Sequence, residues 1–283
     1  MMKGTTVLLK RTAVVGKAGP SRLAVKAFTR LFSNTVQKSL GAQPIVELRE
    51  YDIPPEHAVS YMKSTTAAAD LRKSLVPLRL FSLPETGGEL NRATHAYYYG
   101  GGHDERDSKR GAMAQNDGWK AYLGECRPFM GLQRSNIFVE APLVGSTEGV
   151  LGLETNFGDD SDGSSNKLLG SNPVFEYRRY KLVLGYDTVP KFLNLYESGL
   201  PSKLKAEGTD PTTSLVTVMC GDVGRLNEVI EIWRHGDGIA AMERSRIAAR
   251  SANEWRHAIA AIAPLAIEFT STIHKPTGFS PLK

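Results

Sequence analysis

The sequence has few of the groups that define redox, metal or membrane proteins. Among 283 residues there are two cysteines, Cys126 and Cys220, and no CxxC or HExxH spacing. Two distant cysteines favour buried reduced thiols over a disulfide framework or a metal pair. No uninterrupted apolar run reaches the ~18 residues that a membrane-spanning helix needs. No motif predicts a cofactor or a metal, and the chain is not expected to span a membrane.

Acidic residues are absent from the first 40 positions, which hold eight lysines and arginines. That segment carries +8, so a net charge of +5 leaves 5 − 8 = −3 on the rest of the chain. A nucleic-acid-binding domain would need a basic face of its own to contact the phosphate backbone. The slightly acidic body therefore predicts no nucleic-acid partner.

The basic N-terminal segment has the composition of a mitochondrial transit peptide, rich in Lys, Arg, Ser and Thr. It can form an amphipathic helix with Phe28 and Phe32 on one side and Arg30 on another. The Arg-Leu-Phe-Ser string at 30–33 resembles a matrix-processing site. We expect residues 1–44 to be a targeting segment or N-terminal arm, and the protein to lie in the mitochondrial matrix or on the matrix face of the inner membrane. A plain basic tail is the alternative.

One pattern occurs twice in the rest of the chain. Downstream landmarks recur at a spacing of 226 − 90 = 136 residues: Leu90-Asn91 with Leu226-Asn227, Arg110 with Arg246, Trp119 with Trp255, and Pro128 with Pro264. Upstream, the strand that contains Glu47 recurs around Glu176, at a spacing of 176 − 47 = 129. Such self-similarity predicts two tandem modules, over 45–143 and 174–283. Residues 144–173, rich in Gly, Ser and Asp, are expected to form a flexible surface linker.

Each module shows the periodicities of the order β-α-β-β-α-β. This is the order of a ferredoxin-like module, an antiparallel sheet with two helices on one face. Two such sheets packed face to face produce an eight-stranded barrel with the helices outside. The expected class is α+β. The predicted strands are 45–51, 76–83, 90–99, 133–140, 174–180, 214–220, 225–234 and 266–274, and the predicted helices are 56–73, 104–126, 188–204 and 238–261.

The ordered set of repeated residues resembles the NIPSNAP family. It comprises Glu47-Leu48-Arg49-x-Tyr51, Gly88-x-Leu90-Asn91, His95-x-Tyr97, Arg106, Arg110, Trp119, Pro128 and Gln133, with Arg178, Tyr180, Gly224, Leu226-Asn227, Trp233, Arg246, Trp255 and Pro264 in the second copy. The resemblance implies tandem dimeric α/β-barrel domains, a mitochondrial address and no settled reaction. It implies a non-enzymatic adaptor, or an accessory subunit of a large membrane-associated mitochondrial assembly, with other mitochondrial proteins as partners.

The sequence departs from the family at one point of interest. The family's His-x-Trp is His95-x-Tyr97 in the first copy and Glu231-x-Trp233 in the second. A site built from two equivalent histidines is therefore not expected.

The polar faces of the first and third strands of each module are the candidate ligand-binding positions. If they point into the barrel, they line a pocket that contains acid, base and cation together. The alternative function is then a cofactor-independent oxygenase or isomerase, or a small-ligand binder, that uses the barrel interior. Cross-strand charge pairing is the preferred interpretation, and no catalytic residue is predicted. The candidates are Glu47, Arg49, Tyr51, His95, Glu176, Arg178, Tyr180 and Glu231.

Two further pairs have simpler interpretations. Arg106 and Arg110, one helical turn apart, are expected on a solvated helix face. Trp119 and Trp255 are expected to be core residues. A cavity inside the barrel, lined by Arg49 and His95, would favour ligand binding, and a filled interior would count against it.

Overall fold

The computed structural model describes residues 42–154 and 168–283. Residues 1–41 of the predicted targeting segment and 155–167 of the predicted linker lie outside these ranges. The described elements follow the predicted order. The first half contains β1 (Ile45–Asp52), α1 (Ala58–Ala67), α2 (Ala69–Leu75), β2 (Leu78–Thr86), β3 (Arg92–Tyr99), α3 (Gly102–Gln115), α4 (Asp117–Cys126) and β4 (Gln133–Glu140). The second contains β5 (Val174–Leu182), α5 (Thr188–Leu204), β6 (Thr213–Val223), β7 (Glu228–His235), α6 (Gly238–Ala249), α7 (Asn253–Ile262) and β8 (Ala266–Pro276).

The eight strands form one closed antiparallel barrel in the order β1-β3-β2-β8-β5-β7-β6-β4. Strand β2 joins the second half through β8, where Leu83 pairs with Lys275. Strand β4 joins it through β6, where Val139 pairs with Cys220. Closure pairs the backbone groups that the edges of two separate sheets would expose. The predicted mixed α and β fold with an eight-stranded barrel is confirmed.

Apolar side chains from both halves fill the inside of the barrel. Strand β1 contributes Val46 and Leu48, and the equivalent β5 contributes Phe175 and Tyr177, all of them buried in one cluster. Alternate residues of a strand point to opposite faces, so these positions share the inner face. Full burial of such a side chain stabilises the fold by about 1.5–3 kcal/mol. The interior is therefore a packed core common to both halves.

Helices cover the outer face of each half of the barrel and create two further cores. Under the first-half helices, Tyr61 and Trp119 pack in a cluster that includes Tyr97 of β3. Under the second-half helices, Tyr196 and Trp255 belong to the equivalent cluster. Both predicted core tryptophans are buried. Every strand thus has one face toward the barrel interior and one toward its helices.

The long helix predicted over 104–126 is two helices, because the backbone at Asn116 is extended. The Asn116 side chain accepts a hydrogen bond of 2.9 Å from the backbone N–H of Trp119 and caps α4. The helix predicted over 238–261 breaks at the equivalent position, since 252 − 116 = 136 and Ala252 is also extended. Both breaks turn the last helix so that its tryptophan faces the sheet.

An ion-pair chain inside the barrel connects the halves. Arg179 of β5 donates to Glu50 of β1 at 2.7 Å and lies 3.4 Å from Glu228 of β7. Both carboxylates are buried. A charged group in a low-dielectric interior is tolerated when it is paired.

The described part of the predicted linker is only partly at the surface. Val150 and Leu153 are buried, and the backbone N–H of Gly152 donates to Val216 of β6 at 2.7 Å. The expectation of a surface linker is wrong for 150–153, because this stretch attaches to the sheet. Past β8, the backbone N–H of Leu282 donates to Arg79 at 3.0 Å, and its side chain is buried with the interior core.

Candidate functional site

The eight candidate residues are not in the barrel interior. They lie on the outer face of β1, β3, β5 and β7, under the helices, because the apolar residues that alternate with them occupy the inside. Glu47 contacts Arg106 and Arg110 of α3, and Glu176 contacts Arg246 of α6. The predicted pocket inside the barrel is therefore wrong in location. The structure divides the candidates into one cluster per half.

In the first half, Glu47 is the centre of a buried carboxylate–arginine cluster. Its carboxylate accepts from Arg110 at 2.5 and 3.0 Å and from Arg106 at 2.9 Å. Arg49 Nε adds a contact of 3.1 Å and Ser135 Oγ one of 2.8 Å. Two arginines expected on a solvated face thus reach down to the sheet. That expectation is wrong because a buried carboxylate lies one side-chain length below the helix.

The cluster keeps Glu47 ionised. Burial alone would raise the pKa of this carboxyl, but the charges of Arg110 and Arg49 and the hydrogen bonds from Arg110 and Ser135 lower the pKa to about 2. The first-half cluster is filled and fully paired at Glu47. It connects β1 to α3, and we call this cluster of Glu47 with Arg49, Arg106, Arg110 and Ser135 the latch.

His95 lies beside this latch in an aromatic environment. Its ring stacks on Phe81 with a centroid separation of 4.0 Å, and its Nε2 is 3.3 Å from the hydroxyl of Tyr61. Its Nδ1 lies 3.4 Å from a guanidinium nitrogen of Arg72. Burial and then the charge of Arg72 lower the pKa of His95 well below its usual value. His95 is therefore neutral, and because Arg72 can only donate, Nδ1 is the acceptor.

Arg72 fills the space above His95. Its guanidinium donates to the hydroxyls of Tyr97 at 2.8 Å and Tyr122 at 2.7 Å and lies 5.0 Å from the ring of Trp119. It makes no ion pair with any carboxylate in the described ranges. Phenol oxygens and aromatic faces are the partners of this buried cation instead, and its Nε has no hydrogen-bond partner among the described residues.

The second half repeats the latch. Glu176 accepts from Arg246 at 2.6 Å and from Ser271 at 2.9 Å, and it lies 3.3 Å from Arg178. These partners match Arg110, Ser135 and Arg49 of the first half. Burial opposes ionisation, but the hydrogen bond from His235 and the charges of Arg178 and Arg246 lower the pKa of Glu176.

Glu231 takes the place of His95 and is fully buried. It accepts hydrogen bonds from Tyr180 at 2.8 Å, from Trp233 at 2.7 Å, and from Tyr196. Arg178 lies 3.3 Å away. Burial is outweighed by Arg178 and these donors, so the pKa of Glu231 is lowered. The substitution of a carboxylate for a histidine adds a negative charge that the first half lacks.

The second half combines this network with a large cavity. The cavity has a volume of about 630 Å³ and lies between the outer face of the sheet and the ends of α5, α6 and α7. Its buried wall includes Glu176, Trp233, His235 and Trp255, and its exposed rim includes Arg256. A volume of roughly 300–1,000 Å³ is typical of small-molecule sites.

Lys203, near the end of α5, points its amine into this cavity. Its Nζ lies 3.6 Å from the ring centre of Trp233 and 4.5 Å from that of Trp255. Gly199 sets this geometry, because a Cβ added there would meet the Ala258 Cβ at 2.6 Å and push α5 away from α7. Burial, opposed by the charge of Glu231, lowers the pKa of Lys203 to about 7.

Smaller side chains explain why the second half is open. Met113 of the first half corresponds to Ala249, since 249 − 113 = 136, and Tyr122 corresponds to Ala258. Ala249 lines the cavity. Arg72, which fills the first half, corresponds to Lys203 in its helix. The exchange of Met113 for Ala249 thus removes volume at the cavity wall, whereas Ala258 packs against Gly199 of α5.

The cavity combines flat apolar walls with cationic groups. Trp233, Trp255 and Phe269 supply aromatic surface, and Arg250 and Arg256 are exposed where the cavity opens to solvent. Such an arrangement attracts anions and accepts a planar apolar group. The lysine adds an amine that can act as base or nucleophile. Within 42–154 and 168–283, no group of three or more His, Cys, Asp or Glu side chains has the geometry of a metal site.

Sequence reasoning located the latch residues but missed the cavity and Lys203. A signal was present: Phe192, Tyr196, Leu200 and Lys203 follow one another at steps of four, four and three. That spacing places the lysine on the buried stripe of the helix. Arg72 ends the same stripe in the first half, after Tyr61, Thr65 and Ala69.

A scan against family models matches NIPSNAP over residues 46–144 and 175–281. Among solved structures, a candidate monooxygenase from Lactobacillus acidophilus is 10% identical, with a TM-score of 0.51 and coverage of 83% of this chain and 94% of that chain. A candidate monooxygenase from Fusobacterium nucleatum is 11% identical, with a TM-score of 0.52 and coverage of 83% and 93%. A NIPSNAP family protein from Agrobacterium tumefaciens is 22% identical over 36% of this chain and 89% of that chain, with a TM-score of 0.33. No curated protein matches the chain. At these identities, the likeness to the two candidate monooxygenases shows a shared fold.

Proposed function

The chain belongs to the NIPSNAP family, and from that premise we propose that its second half binds a small organic anion in the cavity under α5, α6 and α7. The observation that carries the proposal is the cavity of about 630 Å³, which two tryptophans, a lysine and several arginines line. The ligand that fits has a carboxylate or similar anionic group and a flat apolar body. This is the ligand-binding alternative that the sequence left open, moved from the barrel interior to the outer face of the sheet.

The difference between the halves supports the proposal. Both halves keep the same latch around Glu47 and Glu176, with matching arginine and serine partners. The first half fills the space beside the latch with Arg72, whose two Nη atoms donate to Tyr97 and Tyr122. If the cavity were only a packing defect, its walls would be apolar, because an unpaired charge is costly beside a dry void. Instead, Lys203 lines it.

The charge balance also favours an anion. Arg178 and Arg246 are matched by the carboxylates of Glu176 and Glu231. Lys203 has no carboxylate partner in the described residues, and Arg250 and Arg256 add positive charge where the cavity opens. Positive potential in a cleft raises the local concentration of anions.

Fluorescence provides a direct test, because two of the three tryptophans line the cavity. We expect 1-naphthoate to change the intrinsic tryptophan emission saturably, and 1-naphthalenemethanol, which lacks the charge, to bind more weakly. The variant Ala249→Met introduces the first-half side chain into the cavity wall. It should weaken naphthoate binding by about tenfold or more, which corresponds to ~1.4 kcal/mol.

The matched control is Ala240→Met, on the exposed side of the same helix. It should leave naphthoate affinity unchanged. The proposal fails if naphthoate produces no saturable change in the wild-type protein, or if Ala249→Met binds as well as Ala240→Met. Circular dichroism of both variants shows whether the fold is retained.

We also propose that each half is a ferredoxin-like module. Supporting this, both halves follow one element order, and the neighbouring strands are β4-β1-β3-β2 in the first and β8-β5-β7-β6 in the second. The candidate monooxygenases that share the fold make a cofactor-independent oxygenase the enzymatic form of the proposal. The cavity wall places Thr213 Oγ1 2.9 Å from His235 Nδ1. Ligand binding without turnover is the form we prefer, because Glu176, the carboxylate beside His235, already accepts from Arg246 and Ser271.

A protein-binding role in mitochondria is the second proposal. Leu184 and Tyr186, in the connection between β5 and α5, are 84% and 103% exposed. Exposed large apolar side chains close together favour a protein contact. Native gel migration of the protein from gently solubilised mitochondria tests both address and partner. Comigration with a large complex that is lost on Leu184→Ser and Tyr186→Ser supports the proposal, and migration of the wild type as a free monomer or dimer contradicts it.

A further inference from the structure

Lys203 is the one lysine among the described residues that line the cavity. Its Nζ contacts the faces of Trp233 and Trp255 at 3.6 and 4.5 Å. A lysine amine in an aromatic cavity is a nucleophile toward carbonyl compounds when it is unpaired and desolvated.

No carboxylate in the described ranges forms an ion pair with Lys203. Glu231, the carboxylate whose charge acts most strongly on Lys203, already accepts from Tyr180, Tyr196 and Trp233. Arg178 also lies 3.3 Å from Glu231, and the charges of Glu231 and Lys203 attract each other without an ion-pair contact. Glu231 therefore acts on the amine at a distance, and the Lys203 lone pair is not blocked by a salt bridge.

From this geometry we propose that Lys203 forms an imine with the carbonyl group of an organic anion, of the class of 2-oxo acids that carry an aromatic side chain. The proposal rests on the proposed anion site and deepens it by naming the reacting group and the ligand class. The carboxylate of such a ligand meets the cationic groups of the cavity, and its aromatic ring meets Trp233, Trp255 or Phe269.

The bonds balance without an oxidant or reductant. The nitrogen lone pair of neutral Lys203 attacks the carbonyl carbon, and a proton moves from nitrogen to the former carbonyl oxygen to give a carbinolamine. Loss of that hydroxyl as water leaves a carbon–nitrogen double bond. The net change is carbonyl plus amine to imine plus water.

The protonation state of Lys203 is compatible with this step. Burial, opposed by the charge of Glu231, lowers the pKa of Lys203 from 10.5 to about 7, so a far larger share of this amine is neutral at pH 7 than of an ordinary lysine. The first half cannot perform the reaction at the corresponding place, because Arg72 carries a guanidinium that stays protonated. The substitution between the halves is thus a change from a permanent cation to a nucleophile.

Borohydride trapping tests the inference on the full chain. The protein is incubated with phenylpyruvate at pH 7, reduced with borohydride, digested and mapped by mass spectrometry. We expect one reduced adduct per chain, on Lys203, and a labelling rate that rises with pH to a midpoint near 7. Lys203→Arg, which places the first-half group in the second half, should lose that adduct, and Lys191→Arg, at an exposed position of the same helix, should keep it.

Three results would overturn the inference: no adduct, adducts scattered over many lysines, or unchanged total labelling in Lys203→Arg. Naphthoate fluorescence separates this failure from failure of the anion site. If wild-type protein binds naphthoate but phenylpyruvate leaves no adduct, the site stands and the imine is refuted. If naphthoate also fails to bind, both proposals are refuted.

Discussion

Replacing Glu47 with Gln removes the charge that three arginines share beneath α3. Glu47 is fully buried, and its pKa is lowered from 4.5 to about 2. A shift of 2.5 units corresponds to about 3 kcal/mol of stabilisation at neutral pH. Gln also leaves Arg110 without its carboxylate partner, whereas Arg106 keeps Asp107 at 2.9 Å. Breaking a buried pair costs about 3–5 kcal/mol. We therefore expect Glu47→Gln to lower the free energy of unfolding at pH 7 by about 3–5 kcal/mol.

The pH dependence follows from the direction of the shift. Because the folded-state pKa of Glu47 is depressed, its contribution is fully present above pH 4.5 and is lost as pH falls toward 2. At pH 3 about two fifths of the contribution remains. The difference between wild type and Glu47→Gln should shrink accordingly.

Urea unfolding followed by circular dichroism at pH 7, 5 and 3 measures both effects. The control is Glu56→Gln, an exposed glutamate of the same half, which should change the free energy by no more than about 0.5 kcal/mol. A cost for Glu47→Gln below about 1 kcal/mol would refute the latch. A cost that is the same at pH 7 and pH 3 would refute its electrostatic origin.

Three further outcomes follow from the packing. Arg179→Met leaves Glu50 and Glu228 as buried carboxylates without their ion-pair partner, so unfolding at pH 7 should be easier by about 3–5 kcal/mol. The loss should be smaller at pH 5, because burial raises the pKa of Glu228. Met113→Ala should cost about 2–5 kcal/mol in urea unfolding, because it removes a buried side chain from a filled core. Trp119→Phe should preserve the naphthoate-induced fluorescence change, since Trp119 belongs to the core of the other half; loss of the change would place the ligand elsewhere.

Periodicity predicted the elements but not the direction in which the polar faces point. Alternation along β1 separates Glu47, Arg49 and Tyr51 from Val46 and Leu48, whichever side is inside. In this barrel both faces are covered, one by the opposite strands and one by the helices. The charged residues of a strand lie on the face whose neighbouring element, either the opposite strands or the helices, carries the complementary charge.

That partner was visible in the sequence. Arg106 and Arg110 lie one turn apart on α3, and Arg246 recurs in the equivalent helix. Two arginines on one helical face with a glutamate on a neighbouring strand are a pairing signal. Interpreted separately, the helix positions predicted arginines that face solvent, and the strand positions predicted side chains that line a pocket. Only the tertiary arrangement makes them one cluster.

For Lys203, the sequence predicted the helix but not the position of the side-chain amine. The bounds of its helix, Thr188–Leu204, were predicted correctly, and its position on the apolar stripe was readable. A lysine near the end of a helix commonly extends its amine to solvent along apolar surface, so the stripe alone does not place the amine in a cavity. The cavity is lined by Ala249, a residue that carries no signal in the sequence by itself and stands out only when it is compared with Met113 at the equivalent position.

The duplication has kept one part of the module and changed another. The latch of Glu47 recurs at Glu176 with equivalent partners, which is expected if both sheets need their helices held at the same height. The space beside the latch has diverged, from a guanidinium packed among tyrosines to an amine beside an open cavity. Since the barrel interior and both latches hold the fold together, the second half can leave that space open without losing its core. Stability and binding are thus carried by different side chains of one repeated framework.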